Sequence, residues 1–202
     1  MRPRVAGIAL IACAVTYSTW TVAGWLNPAL GGLTSLASEL GASNQPWSGF
    51  FRGGDVATGV LVLVAVAAMW GRRPSGGWWA MLAFGAATIL DAAVCTLVCA
   101  PSIDARCEAA SEAMELPLHH QGHVVTSTIA VTALLVAAVL FARWRRGATA
   151  YVLTGLLVGI TAVAVVTMLA EWMDGPVQRV QLVAMSAWLV WLGVVTLRSK
   201  RS

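Results

Sequence analysis

The residue types best suited to chemistry in this chain are His119 and His123, four positions apart, and Asp91, an acid inside an apolar run upstream of them. On one helical face the two imidazoles would stand about 6 Å from each other, a spacing that lets both ligate one metal ion. His120 points elsewhere. Two histidines and a carboxylate, with one position left for water, form the ligand set of a catalytic zinc, which lowers the pKa of that water to about 7. The carboxylates available to complete such a site are Asp91, Asp104, Glu39, Asp55 and Glu171. The expected centre places Zn2+ on His119, His123 and Asp91. Asp91, Glu39 and Asp104 are its catalytic acids, with Glu39 or Asp104 taking the proton from the attacking water. A plainer role competes with this one: imidazoles at a helix entrance behind a proline, here Pro117, commonly bond a loop acid or lipid headgroups.

The stretch 91–123 concentrates this chemistry. It holds all three histidines, three of the four cysteines and five of the nine acids of a chain that is 58% hydrophobic. Asp91 lies eight residues before Cys99, hence about 12 Å below that end of a helix. An acid at such depth costs about 2.5–3.5 kcal/mol by insertion scales, so it is expected to face the bundle interior and a partner. Cys99 and Cys107 bracket a short loop that a disulfide would stiffen, with Cys95, one turn deeper, as the alternative partner. Cys13 reads as a packed thiol. Ser127 and Thr126 follow His123 as polar neighbours.

The elements that must position these groups are membrane helices. With 202 residues, 11% of them charged, and a mean hydropathy of +0.76, the chain leaves no room for a large soluble domain. It reads as one transmembrane domain, 1–202, an all-α bundle of six spanning helices at about 5–26, 53–70, 78–100, 119–142, 148–170 and 180–197, each near the roughly 20 residues a span needs. Ten of the thirteen basic residues (Arg2, Arg4, Arg72, Arg73, Arg143, Arg145, Arg146, Arg198, Lys200 and Arg201) fall at one set of helix ends, and all nine acids fall toward the other. The positive-inside rule then puts both termini in the cytoplasm and the acidic loops outside. The net charge of +4 is accordingly an anchoring pattern and not a nucleic-acid surface. Asp55 is expected to cap the second helix, and Glu39 to be either a site acid or a solvated loop charge. Gly155 and Gly159 carry the small-xxx-small spacing, read here as packing within the bundle, with an oligomer face as the alternative. No serine-hydrolase elbow, phosphate-binding loop or dinucleotide fingerprint is present in the sequence.

The first loop carries Ser38-Glu39-Leu40-Gly41-Ala42 ahead of an aromatic entry to the second helix, and Asp104 precedes His119, His120 and His123 at the start of the fourth. In these features the chain resembles the bacterial membrane-protein family catalogued as domain of unknown function 998, which implies the fold and a multi-pass place in the bacterial cytoplasmic membrane, and carries no activity with it. More distantly it is similar to the superfamily of membrane hydrolases that includes alkaline ceramidases and the progestin and adiponectin receptors. That likeness rests on the His119 and His123 pair and on Asp91, and implies zinc-dependent hydrolysis of a lipid. The chain lacks that superfamily's seventh helix and any histidine outside the one segment. The functional expectation is a metal-dependent lipid hydrolase or transferase with its site on the extracytoplasmic side. The alternative is a non-enzymatic accessory or sensing protein of the cell envelope. Expected partners are membrane lipid, a lipid-like substrate, and a second copy or another membrane protein.

Overall fold

A computed structural model describes every residue except Leu33, Glu171 and 200–202. Glu171, a candidate ligand, and Lys200 and Arg201 of the basic end therefore lie outside the described residues. Among the described residues there are eight α-helices and no strand: α1 (Arg2–Thr16), α2 (Ala23–Leu26), α3 (Ser48–Ala68), α4 (Ser75–Ala93), α5 (Ala105–Glu112), α6 (Leu118–Arg145), α7 (Ala148–Leu169) and α8 (Asp174–Arg198). Five helical stretches are long and apolar enough to cross a membrane: Arg2–Leu26, which joins α1 and α2 through a 3-10 turn, and then α3, α6, α7 and α8.

The six long helices close into a ring in chain order. Helix α1 packs on α3, α3 on α4, α4 on α6, α6 on α7, α7 on α8, and α8 back on α1. Successive helices run antiparallel, so all the short turns between α3 and α4 and between α6 and α7 fall at one end. The ring is filled by Leu10, Met81, Phe84, Leu134, Phe141, Leu157, Trp188 and Leu189, all buried. An aromatic column runs through it: Trp78 meets Phe141 edge-on at 5.0 Å, and Phe141 lies 6.1 Å from Trp188.

Close helix approach is set by glycines other than the pair singled out from the sequence. A Cβ on Gly7 would stand 2.7 Å from the Gly193 carbonyl, and one on Gly193 would stand 2.9 Å from the Gly7 carbonyl, so α1 and α8 touch backbone to backbone. Gly59 and Gly85 do the same for α3 and α4. Around Gly155 and Gly159 nothing lies within 4 Å, so they face outward and the reading of this pair as intramolecular packing is corrected.

Helix boundaries differ from the expected ones where distant segments compete for the backbone. Helix α4 stops at Ala93, although the apolar run continues to Ala100, because the Leu97 and Val98 carbonyls accept from Ser43 N–H and Asn44 N–H at 2.8 and 3.2 Å, while Val98 N–H donates to His120 Nδ1 at 3.1 Å. With Gly76, Gly77 and Asp91 in its 19 residues, α4 is not among the five stretches that reach spanning length and hydropathy. Helix α3 starts at Ser48, directly after Trp47 in the left-handed region. Asp55 consequently sits two turns inside the helix, and its expected capping role is corrected. Helix α8 starts at Asp174 with Pro176 in its first turn, where the missing N–H removes no helix bond.

At the acidic end the two long connections, 27–47 and 94–117, pack on each other. With Ala23 of α2 and Phe51 of α3, their Leu30, Leu40, Ala42, Leu97 and Ala100 form a second small core. Cys99 and Cys107 are joined in a disulfide with a Cα–Cα distance of 6.1 Å.

Candidate functional site

Asp91 and His123 meet on the inner faces of α4 and α6. The His123 Nδ1 to Asp91 Oδ1 distance is 3.0 Å. The same carboxylate oxygen accepts from Thr126 Oγ1 and, at 3.1 Å, from Ser127 Oγ. The other oxygen has no side-chain donor among the described residues. This arrangement follows from helical periodicity, since His123, Thr126 and Ser127 occupy positions i, i+3 and i+4 of α6 and so present one polar stripe to α4. An acid inside an apolar bundle is thereby given the partners its desolvation requires.

The network fixes the imidazole. With its Nδ1 proton directed to Asp91, His123 leaves the Nε2 lone pair available. Ser127 Oγ lies 3.4 Å from that nitrogen. The single Ser127 proton can serve either Asp91 or His123, so the hydroxyl stands between two bases.

These groups line a cavity of about 120 Å³ in the acidic half of the bundle, walled by the turn that follows α1 and by α3, α4, α6 and α8, and roofed by Ala37, Ser38 and Gly41 of the first loop. Tyr17, Trp20, Asp55, Gln178 and Gln181 also reach it. The indole N–H of Trp20 is buried without an acceptor among the described residues. A smaller adjoining hollow of about 40 Å³ shares Asp55, Asp91 and His123 and adds Arg52 and Thr96. Asp55 makes no side-chain hydrogen bond among the described residues, so its carboxylate is uncommitted within the cavity.

The other candidates stand elsewhere. Glu39 is 2% exposed and accepts from both the backbone N–H and the hydroxyl of Ser102, tying the first loop to the second. It is absent from the cavity lining and is not a solvated charge. Asp104 caps α5, accepting from Arg106 N–H at 3.0 Å and Cys107 N–H at 3.3 Å, and is exposed. His119 is exposed and is not part of the cavity wall. His120, set aside in the sequence, is buried and bridges Val98 N–H to the neighbourhood of Ser111, whose hydroxyl lies 3.5 Å from Nε2. The roof is held down from α8: buried Arg179 donates to the carbonyls of Ser35 and Leu30, the latter at 3.0 Å, and Gln178 accepts from Ala37 N–H at 2.6 Å.

A zinc ion fits this arrangement poorly. No group of three or more His, Cys, Asp or Glu is placed to hold a metal among the described residues. Asp91 and His123 point at each other, and His119 does not join them.

Sequence reasoning paired Asp91 with His123 and counted Asp55 among the available carboxylates, yet gave Asp55 a capping role, missed Tyr17 and Trp20, and treated Ser127 only as a neighbour. The signal for Asp55 was the one that singled out Asp91, an acid within an apolar run. It was masked by placing the helix start at 53. Tyr17 and Trp20 offer no such signal, because an aromatic near the end of a spanning helix suits the interface equally well.

The family model described as protein of unknown function (DUF998) matches residues 10–195, and the chain belongs to that family. No curated protein and no solved structure matches it significantly.

Proposed function

We propose that this family member is a six-span membrane hydrolase or transferase acting on an ester-type lipid, with His123 as general base and Asp91 as the residue that holds it. The observation that carries the reading is the Asp91, His123 and Ser127 cluster on the wall of a cavity. Base, orienting carboxylate and hydroxyl are within hydrogen-bond reach of one another, the relation that acyl transfer requires. His123 takes the proton of Ser127, or of a water beside it, as the oxygen bonds to the substrate's acyl carbon. It returns that proton to the departing alcohol as the old ester bond breaks. Water or a second alcohol then releases the acyl group. The unsatisfied Trp20 N–H offers a donor to the carbonyl oxygen. The proposal counts α4 as the sixth span and keeps both termini in the cytoplasm of a bacterial cell. The cavity then opens toward the outer leaflet, where a lipid substrate is at hand. A disulfide between Cys99 and Cys107 is in keeping with that oxidising side.

The test is turnover of a panel of fluorescent acyl lipids by purified protein in nanodiscs, together with labelling by a fluorophosphonate. Wild-type turnover that falls by about a hundredfold or more in His123→Gln and Asp91→Asn supports the mechanism. Labelling lost in Ser127→Ala assigns the nucleophile to that hydroxyl, and turnover without labelling assigns it to water. Absence of both in wild type removes the enzyme reading.

A second reading, a non-enzymatic sensing or accessory protein, is favoured by Asp55. Two carboxylates and one imidazole line one small cavity, the residue types a proton-responsive sensor uses. It requires a wild type inert on the lipid panel whose loop proteolysis changes between about pH 5 and 8 and no longer does so in His123→Gln.

A further inference from the structure

The opposite end of the bundle holds a feature that the site above does not use. Where the turn after α3 meets the ends of α6 and α8, a notch of about 30 Å³ is lined by Arg73, Trp78, Trp144, Arg145, Thr196 and Ser199, among others. Trp78 is 4% exposed, with its ring packed on Phe141, yet its indole N–H has no acceptor among the described residues. Buried donors are almost always satisfied, so a missing acceptor calls for an occupant. Thr196 is also buried, and its hydroxyl makes no side-chain hydrogen bond among the described residues.

The surroundings state what that occupant must be. Arg73 and Arg145 form no ion pair among the described residues, and every Asp and Glu in the chain falls in segments of the other end. Arg145 stacks over the Trp144 ring at 5.5 Å, which orients its guanidinium. Two exposed guanidinium groups and two hydroxyls surround the one buried, unpartnered indole N–H, and together they complement an oxyanion with several lone pairs. The notch is too small for a whole headgroup but admits one or two oxygens of it, the rest staying at the membrane surface. At this end of the bundle, beside the membrane surface, the oxyanion at hand is the phosphodiester of a lipid, whose two unesterified oxygens each accept more than one hydrogen bond.

We propose that this notch is a binding site for a phosphate group, as carried by an anionic phospholipid headgroup, held by Arg73 and Arg145 with its inner oxygen on the Trp78 N–H. Seated there, the headgroup joins the ends of α4, α6 and α8. It neutralises part of a cluster that also holds Arg72, Arg143, Arg146 and Arg198.

Native mass spectrometry of the purified chain, titrated with phosphatidylglycerol and separately with phosphatidylcholine, tests this. Thermal unfolding in the same lipids gives a second readout. Wild type is expected to favour phosphatidylglycerol by at least about tenfold, each arginine contributing about fivefold. Arg73→Gln with Arg145→Gln, both at exposed positions, is expected to abolish the preference while leaving the melting temperature in phosphatidylcholine unchanged. Trp78→Phe keeps the ring and removes the N–H, and is expected to weaken phosphatidylglycerol binding several-fold. Should that variant fail to fold, the arginine pair decides alone. Inorganic phosphate that competes with the lipid would show that the notch reads phosphate from any source. Phosphate without effect, beside bound phosphatidylglycerol, would assign the site to the headgroup. Equal binding of the two lipids by wild type, or a preference that survives in the arginine variant, overturns the proposal.

Discussion

The two ends of this bundle are closed by different physics. At the basic end the connections are short, 69–74 and 146–147, and the closure is made by apolar and aromatic packing around Trp78, Phe141 and Trp188. At the acidic end two long connections are locked by hydrogen bonds between residues far apart in sequence. Glu39 holds Ser102, Arg179 holds Ser35 and Leu30, His120 holds Val98, and Ser43 and Asn44 hold Leu97 and Val98. The catalytic candidates lie under the second kind of closure. A roof held by specific polar contacts can be loosened one contact at a time, while the ring beneath stays packed. Loops of low intrinsic stability over a rigid scaffold are where binding sites commonly occur.

The comparison is broken most decisively by separating chemistry from closure. Asp91→Asn keeps the shape and removes the charge, so it is expected to lower lipid turnover by about 100- to 10,000-fold, with the melting temperature within a few degrees of wild type. A large loss of stability instead would make Asp91 part of the closure and not of a site.

Arg179→Met is the next largest effect. It leaves the Ser35 and Leu30 carbonyls without their donor inside the roof, at a cost of about 3 kcal/mol. Limited proteolysis of segment 27–47 should accelerate well before the ring unfolds. Simultaneous melting of ring and roof would show that the two closures are one cooperative unit.

Replacing Cys99 and Cys107 by serine opens an eight-residue loop, worth about 2.5 kcal/mol by loop entropy. Hydrogen exchange is expected to rise in 97–110 and to stay unchanged in α7. The smallest effect sharpens the contrast within the acidic end. Asp104→Ala removes only the cap of α5, costing about 1 kcal/mol of local helix stability, and should leave turnover intact because Asp104 does not reach the cavity.

Much of this was legible in order of decreasing locality. The helical class, the multi-pass character and the segregation of charge follow from runs of apolar residues and from the positions of arginines, signals each carried by a single segment. Asp91 and His123 were legible as a pair because an acid in hydrocarbon must find a partner and few polar residues were on offer. Glu39 and Asp104 drew the same attention for the same reason, yet a loop acid has many ways to be satisfied. One of them serves a hydroxyl and an N–H across the loops, and the other serves its own helix. The His119 and His123 pairing rested on helical spacing, which places two side chains on one face but leaves open whether that face points inward. Position 119 is at the exposed entrance, and position 123 one turn deeper.

By itself, then, the sequence determined that this chain is a bundle of membrane helices with acids toward one end and arginines toward the other. Hydropathy and charge act residue by residue against lipid and water, and need no knowledge of the neighbours. Only the tertiary structure decided that α4 ends at Ala93, that Asp55 and Trp20 share a cavity with Asp91, and that the first loop is its roof. Each of those outcomes depends on which backbone and side-chain groups from remote segments arrive to satisfy one another. That matching is a property of the packed ring and of no single stretch within it.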